Sequence, residues 1–188
     1  MGVSATPSHV ALLLLLPGFA LHPPDYERLV RRLRVPCHVV DLWPRDLDAL
    51  RDIGKPGSDT FEAWIEARVA HCRTFLHDPK ACVVFAHSAG AEVGRRLGVR
   101  RLVTFGSHDD DRVALDLRGT HDTLVPFSPK ARAVASSHFG CVPLEAAARC
   151  AGVQMSLMQR GVWLEPHVDG VDAIAAAVHA WLEEEERA

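Results

Sequence analysis

Ser88 stands where an apolar run, Ala81-Cys82-Val83-Val84-Phe85-Ala86-His87, gives way abruptly to Ala89-Gly90-Ala91-Glu92-Val93, a stretch with helical spacing. A serine on a sharp strand-to-helix turn is held in a strained conformation that pushes its hydroxyl into the open. There a neighbouring base can make it a nucleophile. Such a turn needs tiny residues two positions to either side, and Ala86 and Gly90 meet that need. Ala89, Val93 and Leu97 recur at helical spacing, so the helix buries one face and aims its positive amino-terminal end at Ser88. Negative charge developing beside the serine is thereby favoured, as acyl transfer requires.

The other reactive side chains form no second pattern of this kind. The histidines and cysteines, His71-Cys72 included, lack zinc-ligand spacing. Asp109-Asp110-Asp111 reads as a solvated turn rather than a cation site. No metal and no organic cofactor is expected. Cys37, Cys72, Cys82, Cys141 and Cys150 are odd in number, without Cys-x-x-Cys spacing, and several lie in apolar runs. They read as reduced thiols packed as small hydrophobes, which points to a cytoplasmic protein.

The elements that must position Ser88 follow from hydrophobic patterning. Continuous apolar runs, the mark of strands buried on both faces, predict strands at Val10–Leu16, Cys37–Leu42, Ala81–Phe85, Arg101–Phe105, Val113–Arg118 and Val153–Gln159. Helical spacing predicts helices at Asp25–Arg34, Phe61–Leu76, Ala89–Leu97 and Val171–Leu182. Pro44 to Thr60 and the Pro126–Pro143 region read as loops, the second with a helix around Pro129–Ser136. Strands alternating with helices imply right-handed crossovers and a mostly parallel sheet covered on both faces, with ligands bound at its carboxyl edge.

Phe85 to Ala91 resembles the nucleophile elbow of the α/β-hydrolase superfamily, with Ala86 where that family usually has glycine. The resemblance runs through nearly the whole chain from Val10. It implies a three-layer α/β/α domain around a mostly parallel sheet of about six strands, without the two leading strands of larger members. It also implies a triad in the chain order serine, acid, histidine.

Asp122 lies in Gly119-Thr120-His121-Asp122-Thr123-Leu124-Val125-Pro126 after an apolar strand, similar to the family's acid loop, and its rival Asp116 lies within that strand. For the histidine the family expects a loop between the last strand and the terminal helix, where His167 stands directly ahead of Val171–Leu182. His138 follows Asp122 too closely for a helix and a strand to intervene; His179 falls in the terminal helix, and His121 only flanks the acid. The resemblance therefore assigns the triad Ser88–Asp122–His167. It places the oxyanion hole at the backbone N–H groups of Ala89 and Phe19. Leu16-Pro17-Gly18-Phe19-Ala20 is similar to the family's His-Gly-Phe loop with Pro17 for histidine, and Ala20 is the substitute donor.

Leu21, His22, Trp43 and Trp163, which follow predicted strands, and His87, beside the serine, are candidate substrate-pocket residues. Only Gly106 to Arg112 separates the fourth and fifth predicted strands, where many members insert a lid, so an open site is expected. Compact, lidless relatives include carboxylesterases, acyl-protein thioesterases and dienelactone-hydrolase-like enzymes, and Ser88 argues against the last, whose usual nucleophile is cysteine. The expectation is a serine hydrolase of small-molecule acyl esters or thioesters. The competing reading is a hydrolase-fold receptor or interaction module that keeps the triad residues.

With 188 residues, 48% of them hydrophobic, the chain suits one domain with a single core, with residues 1–8 as a flexible start and 183–188 as an acidic tail. A net charge of -3 without a basic stripe argues against nucleic acid as a partner. Leu12 to Leu16 is too short to span a bilayer and reads as a strand, so no stable membrane insertion is expected. Met1-Gly2-Val3-Ser4-Ala5-Thr6 fits the short pattern for myristoylation of Gly2, a weak membrane tether.

Overall fold

The computed structural model describes residues 10–76, 78, 82–108, 111–125, 128–158 and 166–187. Among these residues six parallel strands form one sheet: β1 (Leu12–Leu16), β2 (Cys37–Val39), β3 (Cys82–His87), β4 (Leu102–Phe105), β5 (Leu115–Gly119) and β6 (Arg132–Val134). Their order is β2-β1-β3-β4-β5-β6, so the strand order reverses between β1 and β3. A crevice opens at such a reversal beyond the carboxyl ends of the strands. The chain follows β1 there with Pro17 to Ala20 and β3 with Ser88.

The central strands β1, β3 and β4 are apolar at every position but Thr104 and His87 because both faces are covered. Leu13 and Leu15 of β1, Val83 and Phe85 of β3 and Val103 and Phe105 of β4 point to one face. They pack there against α1 (Glu27–Leu33), the buried stripe of α5 (Leu144–Met158) and α6 (Val171–Arg187). Leu14, Leu16, Val84 and Ala86 point to the other face, under α2 (Leu47–Asp52), α3 (Asp59–Arg73) and α4 (Gly90–Leu97). The result is the expected three-layer α/β/α arrangement. The acidic Glu183–Glu186 run lies within α6, and Glu184 pairs with Arg132 at 3.1 Å.

Three expected elements differ. Val153 to Met158, expected as strand, is the end of α5, and Gln159 lies outside the described residues. The preceding Glu145-Ala146-Ala147-Ala148 favours helix, and burial of Ala146, Ala147, Cys150 and Ala151 follows helical rather than strand spacing. The helix expected around Pro129–Ser136 is instead the short edge strand β6. Within the expected Pro44–Thr60 loop, α2 is a six-residue helix whose start is capped by Asp46, its carboxylate accepting from the Ala49 N–H at 2.8 Å. The first two exchanges move the last strand upstream, and with it the loop expected to hold the catalytic histidine.

Candidate active site

At the end of β3 the Ser88 backbone turns to φ 50°, the left-handed region that L-residues with a Cβ seldom occupy. Its N–H is anchored on the Phe105 carbonyl at 2.9 Å, continuing the β3–β4 pairing into the turn. The turn is crowded as expected: a Cβ on Gly90 would lie 2.5 Å from the Leu16 carbonyl oxygen. Ala86 is accommodated from across the interface, where a Cβ on Gly94 of α4 would lie 3.3 Å from the Ala86 methyl. The glycine that the elbow lacks at 86 is thus compensated at 94.

His138, in the loop after β6, places its Nε2 2.9 Å from the Ser88 Oγ and its Nδ1 3.0 Å from the Asp122 Oδ2. The other carboxylate oxygen, Oδ1, accepts from the Leu124 and Val125 N–H groups at 2.9 and 3.0 Å. The carboxylate is 1% exposed and the imidazole 4%. Burial is the largest single influence on Asp122 and pushes its pKa up. The hydrogen bond and charge of His138 and the two backbone donors together outweigh it, holding the carboxyl below its ordinary value. An ionised Asp122 can only accept, so the shared proton sits on Nδ1, and Nε2 is free to accept from the serine hydroxyl. Asp116, the rival acid, is engaged elsewhere: it accepts from the Thr104 hydroxyl at 2.7 Å and pairs with the buried Arg118 at 3.0 Å.

His167 is not at the site. Its Nε2 lies 2.9 Å from the Val142 carbonyl oxygen, bracing the His138 loop from behind. The next residue pairs with the same loop, since the Val168 carbonyl accepts from the Ser137 N–H and the Val168 N–H donates to the Ser137 hydroxyl, both at 3.1 Å. The expectation failed because no helix stands between β5 and β6 among the described residues, so sixteen residues suffice to carry the chain from Asp122 to His138.

A reversal-point serine at positive φ, a histidine after the last strand and an acid after the strand before it are joined by hydrogen bonds at the carboxyl edge of the sheet. The fold is α/β-hydrolase-like. No protein-family model matches the sequence, and no curated protein matches it significantly. Among solved structures it is similar to a protein from Xanthomonas campestris pv. campestris assigned to the alpha/beta superfamily of hydrolases. The identity is 18%, the TM-score 0.48, and 94% of this chain and 98% of that one are covered. It is also similar to the RedJ thioesterase from the prodiginine biosynthetic pathway in Streptomyces coelicolor, at 26% identity and a TM-score of 0.34 over 57% of this chain and 44% of that one.

Beside Ser88 the loop after β1 is held at three successive residues. The Trp43 indole N–H donates to the Pro17 carbonyl at 3.0 Å, the Gly18 N–H donates to the Tyr26 hydroxyl at 2.9 Å, and the Cys150 thiol donates to the Phe19 carbonyl at 3.0 Å. Burial pushes the Cys150 thiol up to about 12, so it stays protonated as a donor. Phe19 and Ala89, the expected oxyanion donors, both line the cleft that opens beside Ser88.

The expected pocket residues divide. Trp43 lines the cleft. Leu21 is fully buried in the core, His22 pairs with Asp41 at 3.0 Å, and Trp163 lies outside the described residues, as do Gly2 and Asp109-Asp110. His87 is wholly buried behind the elbow rather than in the cleft. Sequence reasoning missed the cleft's walls from α2, α3 and α5, namely Leu50, Ile53, Phe61 and Leu157. Among the described residues no three His, Cys, Asp or Glu side chains cluster as a metal site would require, and no helix is long and apolar enough to cross a membrane.

Proposed function

We propose that the protein is a serine hydrolase that cleaves carboxylic esters or thioesters through Ser88, His138 and Asp122. The observation that carries this reading is the continuous hydrogen-bonded series from the Asp122 carboxylate through the His138 imidazole to the Ser88 hydroxyl. The Ser88 oxygen attacks the substrate carbonyl carbon while Nε2 of His138 takes its proton, and the backbone N–H groups of Phe19 and Ala89 receive the oxyanion. As the tetrahedral intermediate collapses, the bond to the leaving alkoxide or thiolate breaks and Nε2 returns the proton to it. Water then attacks the acyl-enzyme, giving its proton to Nε2. The acid departs as the proton returns to Ser88. Asp122 holds the imidazole in the working tautomer and balances its positive charge.

Small-molecule acyl esters or thioesters are the partners this chemistry calls for, and each step uses only the chain's own groups and water. The test is labelling by a fluorophosphonate, which phosphonylates an activated serine. Wild type is expected to label and Ser88→Ala is not. Absence of Ser88-dependent labelling would favour the receptor reading.

A further inference from the structure

We infer that the cleft beside Ser88 is an acyl subsite and that the natural substrates carry an extended apolar acyl chain, an inference that rests on the hydrolase reading above. The cleft encloses about 1350 Å³ and is walled by Phe19, Trp43, Leu50, Ile53, Phe61 and Leu157. Behind its aromatic wall Phe19 meets Trp43 edge-on at 5.0 Å, and Trp43 stacks on Trp64 at 4.6 Å. The charges along its α4 side are matched within the protein: Arg95 pairs with Glu92 at 2.9 Å and Arg96 with Glu62 at 2.7 Å. Of the other cations on the lining, Arg51 pairs with Asp48 and Lys55 is exposed to solvent, while the apolar walls gain by covering hydrocarbon.

Reaction geometry decides which half of the ester enters. The leaving group must lie against Nε2 of His138 to be protonated. Gly106, where a Cβ would lie 2.9 Å from Nδ1 of His138, marks the imidazole end of the cleft, whereas the apolar walls continue from Phe19 through Trp43. The leaving group therefore belongs at the imidazole end and the acyl chain along the apolar walls.

The test is kcat/KM for p-nitrophenyl acetate, octanoate and palmitate, with wild type and with Leu157→Trp and Ile53→Trp, which place an indole in the cleft. Each methylene buried is worth about fourfold, so octanoate is expected to exceed acetate by at least about 100-fold. The octanoate-to-acetate ratio is expected to fall at least about tenfold in either variant. A ratio compares two substrates on one protein sample, so partial unfolding does not mimic the effect. Ser88-dependent turnover indifferent to acyl length would overturn the inference and leave the hydrolase reading standing. Length dependence found only in a series of acetate esters of longer alcohols would place the alcohol in the cleft and overturn it equally. Loss of Ser88 dependence altogether would sink the hydrolase reading itself.

A separate observation concerns a buried group that the reaction does not use. His87 accepts a hydrogen bond at Nδ1 from the Tyr26 hydroxyl at 2.7 Å, and its Nε2–H donates to the His138 carbonyl at 3.0 Å. The His138 carbonyl can only accept, which fixes this tautomer. Tyr26 in turn accepts from Gly18, next to the expected oxyanion donor Phe19. Burial first, and the nearby His138 second, push the His87 pKa down to about 3, so the ring stays neutral and the polarity of the bridge does not change.

The geometry points to His87 and Tyr26 as positioning residues that fix the oxyanion loop and the His138 loop relative to each other. Tyr26→Phe, which removes one hydroxyl, is expected to lower kcat about tenfold with little change in KM. His87→Gln, whose amide can both accept and donate, is expected to retain more kcat than His87→Ala. Because the two act in one bridge, adding Tyr26→Phe to His87→Ala is expected to cost little more. Thermal unfolding of each variant serves as the control. Variants that lose stability but keep wild-type kcat per folded molecule, or a glutamine no better than alanine, would reduce the bridge to core packing.

Discussion

Replacing His138 by alanine is expected to lower kcat/KM by on the order of 10⁴-fold or more, as far as replacing Ser88 itself, because members of a triad act as a unit. His167→Ala is expected to cost less than about tenfold, the loss of one hydrogen bond of about 1 kcal/mol between two loops. The contrast is large because the two imidazoles occupy different environments. One bridges the serine hydroxyl and a buried carboxylate, and the other ties the Val142 carbonyl to the segment ahead of α6. Steady-state rates on one p-nitrophenyl ester decide between them. Equal losses in both variants would mean that the His138 loop cannot hold its shape without the His167 brace.

Asp122→Asn is expected to lower kcat by on the order of 10⁴-fold while leaving the fold intact. The asparagine oxygen would take the place of Oδ1, which accepts from Leu124 and Val125, and so turn its NH₂ toward Nδ1 of His138. Nδ1 must then accept, the ring proton moves to Nε2, and the base can no longer receive the serine proton. The same substitution has a consequence for stability. The Asp122 pKa is lowered on folding, so its interactions stabilise the protein above the unfolded carboxylate pKa of about 3.9 and are lost as pH falls through the folded value. Denaturant midpoints measured across that acidic window are expected to fall less steeply with decreasing pH in Asp122→Asn than in wild type. An unchanged slope would mean that the carboxylate gains nothing from its partners.

The parts of this architecture that local chemistry dictates were legible in the chain. Leu12–Leu16 and residues 82–86 are apolar at successive positions because the sheet buries both of their faces, and the abrupt change at Ser88 marks the turn. Edge strand β6 carries only Arg132, Ala133 and Val134, too few residues for any period to appear. The apolar end of α5 imitates a strand once it is read apart from its alanine-rich beginning. Those two ambiguities moved the last strand, and the histidine moved with it. The supports of the site were beyond local reading for a different reason. Tyr26 meets His87 across 61 positions and Cys150 meets Phe19 across 131, partnerships that exist only once β1, β3 and α5 have packed. No spacing in the chain announces them.

Ser88, activated by His138, is expected to become acylated during turnover. Acid-quenching the protein while it hydrolyses a p-nitrophenyl ester, digesting it, and weighing the peptides by mass spectrometry measures this. The acyl mass is expected on the peptide that carries Ser88, and no such adduct is expected in Ser88→Ala or at an appreciable rate in His138→Ala. Turnover that persists in Ser88→Ala, or an acyl group carried by any other residue of the wild-type protein, would contradict the account.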